Sequence, residues 1–147
     1  MIAAAATLSL AACSGEGITG LSQMVYNATY AGPARLRPLV VPAQQQQTGV
    51  QPLTLTVVLA QLGQNFGGTF SMADSAGQAV YAGSITGKVT SSGADITLVV
   101  PAPCAGTLYG SFTVSNGELN GSAAGRDCMA DVSGNNVQIT FTNLVRQ

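Results

Sequence analysis

Leu53-Thr54-Leu55-Thr56-Val57-Val58-Leu59-Ala60 places Leu53, Leu55, Val57 and Leu59 on one parity and Thr54, Thr56, Val58 and Ala60 on the other. Side chains along a strand point to alternate faces, so this period of two reads as a half-buried antiparallel strand. The same period returns further on. Ile96, Leu98 and Val100 alternate with Thr97 and Val99, and Val137, Ile139 and Phe141 alternate with Gln138, Thr140 and Thr142. Turn signals separate such runs at Gly63 to Asn65, Asp74 to Gly77, Ser91 to Gly93, Asn116 with Gly117, and Ser133 to Asn136. The spacing predicts eight strands, near 22–31, 53–62, 66–73, 78–89, 94–101, 107–115, 118–125 and 136–145, with no helix beyond residue 12.

Four of these strands share a weak repeat in which a glycine stands between two apolar residues of the same face. Phe66, Gly68 and Phe70 form one instance, and Tyr81, Gly83 and Ile85 a second. Leu108, Gly110 and Phe112, then Leu119, Gly121 and Ala123, complete the set. These glycines therefore point inward. Glycine weakens strand pairing but permits tight bends and close approach, the device by which a small sheet coils and closes. The pattern predicts an all-β chain folded as one small antiparallel up-and-down barrel of about eight strands. It resembles lipocalin-like and avidin-like barrels in outline; a β-sandwich is the alternative.

Composition narrows the chemistry. The 147 residues carry five Lys and Arg against six Asp and Glu, only 7% of the chain, with no His and no Trp. Histidine-based triads, bases and metal sites are excluded, and there is no basic patch of the kind that nucleic acid requires. A nucleophile needs an activating base. Here the choices are Lys88 and six carboxylates scattered over loops and strand ends, so the expectation is a non-enzyme without cofactors or metal.

At the N-terminus, Leu10, Ala11, Ala12 and Cys13 close an apolar run. This stretch resembles the lipobox of bacterial lipoproteins. The resemblance implies acylation of the Cys13 thiol and cleavage before it, so that residues 1–12 are a signal peptide, 13–20 a flexible tether and 21–147 the barrel domain. A cut by the general signal peptidase after Ala11, with the small Ser9 three places back, is the rival. Met1 to Leu10 lacks the positive charge that opens a signal peptide, which implies a start upstream or a trimmed chain. The run is about half the roughly 20 residues that a spanning helix needs. In a host with two membranes, Ser14 after the cysteine resembles outer-membrane sorting, so the expected place is the cell envelope, at the outer membrane of a diderm bacterium, with the protein anchored to the membrane by lipid.

With Cys13 acylated, Cys104 and Cys128 remain as a pair in an oxidising compartment, where a disulfide is the default. Closing a loop of about 25 residues contributes roughly 3 to 4 kcal/mol in the chain-entropy account. Alternating strand direction brings both cysteine loops to one end, distal to the lipid. The same end receives the irregular stretch Gly32 to Pro52, with Pro33, Pro38, Pro42, Pro52 and the tract Gln44 to Gln47. Long loops without structure are usually functional or disordered. Arg35, Arg37, Leu39, Val40 and Val41 are therefore the candidate interaction loop.

Other motifs dissolve. Gly15, Gly17 and Gly20 spell GxGxxG without the strand and helix that a dinucleotide site needs. Asn27 to Thr29 and Asn120 to Ser122 match glycosylation sequons, and Asp74, Asp127 and Asp131 lack the spacing of a calcium loop. The expected function is a lipid-anchored envelope module that acts structurally or by interaction through its distal loops. A carrier of a small apolar ligand is the alternative, and the interior volume discriminates the two.

Overall fold

The computed structural model describes residues 26–38, 51–101, 105–126 and 136–147. Eight strands run through them: β1 (Ala28–Pro38), β2 (Gln51–Leu62), β3 (Asn65–Ala73), β4 (Ala79–Val89), β5 (Gly93–Val100), β6 (Gly106–Ser115), β7 (Glu118–Arg126) and β8 (Asn136–Arg146). Each pairs antiparallel with the next, and β8 returns to β1 to close an up-and-down barrel, not a sandwich. Following partners from Pro38 through Val137, Gly125, Leu108, Leu98, Ile85, Gly68 and Leu59 leads back to β1 at Ala28, ten residues from the start. A stagger of that size tilts the strands by about 40° to the barrel axis.

The first strand is not where its sequence suggested. It was expected at 22–31 with an irregular segment from Gly32 to Pro52, but β1 continues to Pro38 and β2 begins at Gln51. Pro33 argued against a strand because it cannot donate to a ladder. The structure accommodates it at an irregularity: the register of β1 against β8 shifts between Ala31 and Ala34, while Pro33 still faces Thr54 on β2. The extra residue belongs to β8, where the register to β7 shifts at the same level. Asn143 takes a left-handed φ of 53° there, and its N–H donates to Asn120 Oδ1 at 2.9 Å. Both asparagines of the apparent sequons are thus structural, since Asn27 Oδ1 likewise accepts the Gln61 N–H.

Parity decides what lies inside. Leu53, Leu55, Val57 and Leu59 are buried with Phe66, Phe70, Met72, Ile85, Ile96, Leu98, Leu108, Phe112, Ile139 and Phe141. The Thr residues of the opposite parity face outward, the reverse of a transmembrane barrel, whose outward side is the apolar one. Tyr26, just before β1, closes the end at which the chain enters. It is 2% exposed, and its ring meets Phe112 edge-on at 5.1 Å and Phe66 at 5.8 Å. Its N–H donates to Gln61 Oε1 at 2.7 Å.

The two ends differ. Tight turns at Gly63–Gln64, Thr90–Ser92 and Asn116–Gly117 lie at the entry end with residues 26 and 147. Asn116 and Gly117, at φ 54° and 81°, have the two positive φ values of the hairpin turn that Asn-Gly favours. The other four connections, 39–50, 74–78, 101–105 and 127–135, belong to the distal end.

Adjacent glycines test the closure. A Cβ on inward Gly68 would overlap the Val58 carbonyl oxygen, whereas one on outward Gly67 would meet only Ile85 O at 3.9 Å. Gly68→Ala should cost about 1 to 3 kcal/mol through overpacking. Gly67→Ala should be neutral or gain a few tenths of a kcal/mol, roughly, by restricting the unfolded chain. Urea unfolding of the two variants measures the difference; equal effects would mean that close strand approach does not hold the barrel.

Burial, and then the neighbouring Tyr30, pushes the Tyr26 phenol above the ordinary value of 10.0. The folded state thus favours the neutral phenol. Its contribution is complete below the unfolded value and is lost as pH rises past it toward the raised one. Tyr26→Phe should move the midpoint of alkaline unfolding to higher pH, as followed by circular dichroism, with the fold intact at neutral pH.

Candidate functional site

Arg35 and Arg37 lie on β1 and not in a loop, which corrects their expected setting. They share the outer face with one residue between them, roughly 7 Å apart along the strand. Arg35 stands opposite Pro52 on one side and Thr140 on the other. Arg37 stands opposite Gln138, whose Oε1 accepts from its Nε at 2.8 Å and its Nη2 at 2.6 Å. That carboxamide holds the guanidinium plane on the wall and leaves further N–H groups to donate outward. Arg126 ends β7 near the same rim, beside Asn136 on β8. Three of the five cations of the chain therefore sit toward the distal end.

Leu39, Val40 and Val41, the rest of the candidate loop, lie outside the described residues, as do Cys13, Cys104, Cys128, Asp127 and Asp131. The topology does bring the 101–105 and 127–135 connections, which hold the two cysteines, to the same end. Asp74 is a turn former. Its Oδ1 accepts from the N–H groups of Ala76 and Gln78, both at 2.9 Å, and its backbone bonds to Gly77 and Gln78 close the β3–β4 connection.

The interior offers little room. Its cavity, bordered by Leu55, Val57, Phe70, Leu98, Phe112 and Phe141 among others, measures about 10 Å³. That is at or below the space of one water.

A larger hollow lies on the outside. An open depression of about 600 Å³ follows the outer wall of β3 to β6, bordered by Asn65, Thr86, Lys88, Asp95, Thr97 and Tyr109. Tyr109 is 66% exposed. Sequence reasoning did not single out this ring, although the inward parity of Leu108, Gly110 and Phe112 implied that Tyr109 faces out.

No family model matches the chain, and no curated protein matches it. Among solved structures it is similar to a redesigned beta barrel, with 14% identity and a TM-score of 0.52 over 83% of this chain and 91% of that one. That likeness concerns the barrel fold alone.

Proposed function

We propose that the protein is a lipid-anchored cell-envelope module that binds a partner through the distal end of its barrel. The packed interior is the observation that supports this reading over a carrier: among the described residues the cavity between the core side chains measures about 10 Å³, far below the roughly 300 to 1,000 Å³ of small-molecule sites. The difference between the ends supports the orientation. An anchor at Cys13 enters at the end with the tight turns, and the residues between it and β1 reach at most about 50 Å when extended. The distal end, with the Arg35, Arg37 and Arg126 guanidinium groups near its rim and the longer connections, then projects toward partners. Leu39, Val40 and Val41 supply the apolar part of that surface, and a Cys104–Cys128 disulfide ties two of its connections.

Mass spectrometry of the membrane-extracted protein should find an N-terminal peptide beginning at acylated Cys13 and, without reduction, a Cys104–Cys128 crosslinked pair. A mature N-terminus at Ala12 contradicts the anchor, and free thiols contradict the disulfide.

Deleting Leu39 to Gly49 should leave the melting temperature within a few degrees of the parent, because long surface loops carry little stability. The deletion should abolish pull-down of envelope partners that crosslink to the intact protein. Retention of those partners would refute the distal-end reading.

A further inference from the structure

The outer wall of β3 to β6 carries two short rows of side chains. Thr86, Thr97 and Tyr109 are register partners in one row, and Asn65, Lys88 and Asp95 in the next. Strand spacing makes each row roughly 10 Å long and separates the two by about 7 Å. Between them the backbones of adjacent strands approach closely. Gly87 and Gly110 contribute no side chain, and a Cβ at either would overlap neighbouring atoms, Phe66 Cζ and Asp95 O for Gly87 and Ser122 O for Gly110. The open depression of about 600 Å³ lies along these two rows, within the size range of small-molecule sites.

Its composition is unlike the rest of the surface. The chain has four Phe and four Tyr; seven of these rings are buried, and the eighth, Tyr109, stands 66% exposed here. Lys88 is the lone lysine of the chain, and it faces Asp95 directly across the β4–β5 pair. One ammonium and one carboxylate leave the rows without net charge. They add a carboxamide and two small hydroxyl groups that leave space above the floor.

We propose that this depression binds a neutral glycan. A pyranose presents a flat C–H face, which an exposed aromatic ring covers, and a rim of hydroxyls that donate and accept at once. Asp95 accepts from such hydroxyls, Lys88 donates to them, and Asn65 does both. A row of about 10 Å accommodates a disaccharide. The balanced charge selects against an anionic polymer, and an acidic peptide would find one ammonium already faced by a carboxylate. This site is separate from the distal end and does not rest on its role.

The test is titration of the ¹⁵N-labelled protein with chitotriose, cellotriose and maltotriose at millimolar concentrations, with polygalacturonate as the charged comparison. At least one neutral glycan should give saturable amide shifts confined to residues 65–66, 86–88, 95–97 and 109–110. Tyr109→Ala should weaken that binding at least tenfold with the remaining spectrum unchanged, and Tyr109→Phe should retain it. Asp95→Asn, as a second variant, should also weaken it, and deletion of Leu39 to Gly49 should leave it intact. Silence with all three neutral glycans, shifts that persist in Tyr109→Ala, or binding confined to polygalacturonate would each overturn the proposal.

Discussion

Closure is the constraint on which the rest of this molecule depends. Eight strands can share every ladder only if they stagger and coil, and coiling at this radius brings one strand's backbone against the next. At Gly68 the approach leaves no room for a Cβ beside the Val58 carbonyl, and at Gly110 none beside that of Ser122. Inward glycine is therefore a geometric requirement at these points, not a loss of core. The volume given up is refilled by large neighbours: Phe66, Phe70, Phe112 and Phe141 are buried among the glycines, and the cavity that Phe70, Phe112 and Phe141 border measures only about 10 Å³.

The same constraint shapes the exterior. The hollow beside Tyr109 lies over Gly87 and Gly110, where the neighbouring strand leaves no room for a Cβ. A closed barrel also has no free edge, so partners meet side chains on the wall or the connections at the ends and cannot add a strand. In this chain those surfaces are chemically distinct. The distal rim carries three arginines near its longer connections, the outer wall toward the entry end carries a balanced charge pair with an aromatic ring, and the entry end itself is closed by Tyr26.

Much of this was legible because the signals are local. Alternation over Leu53 to Ala60 fixes which residues face inward, and seven of the eight strands lie within about two residues of their expected bounds. The repeat of glycine between apolar residues carried the barrel. What failed depends on contacts far along the chain. Pro33 reads as a strand breaker until the irregularity opposite it on β8 is known, and that irregularity needs Asn143 in a left-handed conformation with its N–H on Asn120 Oδ1. Nothing between residues 28 and 38 encodes a side chain more than eighty residues away. The Arg37–Gln138 bond is non-local in the same way, so Arg37 read as a loop residue when it is a wall residue clamped by a neighbouring strand.

Tyr109 is a different case, because its position was implied by parity and its meaning was not. An outward tyrosine on a half-buried strand is ordinary by itself, since apolar groups make up more than half of a folded surface. It gains weight from what surrounds it, and those neighbours come from three other strands. Thr97 and Thr86 enter through the register of β5 and β4, and Asn65, Lys88 and Asp95 through the next row. A shift of one residue in any of these pairings would turn the side chains of that strand to the opposite face. The depression is thus a consequence of register, and register in a closed barrel is set by the whole ring of strands at once. The glycines that permit closure and the ring that lines the hollow are for this reason parts of one geometric solution.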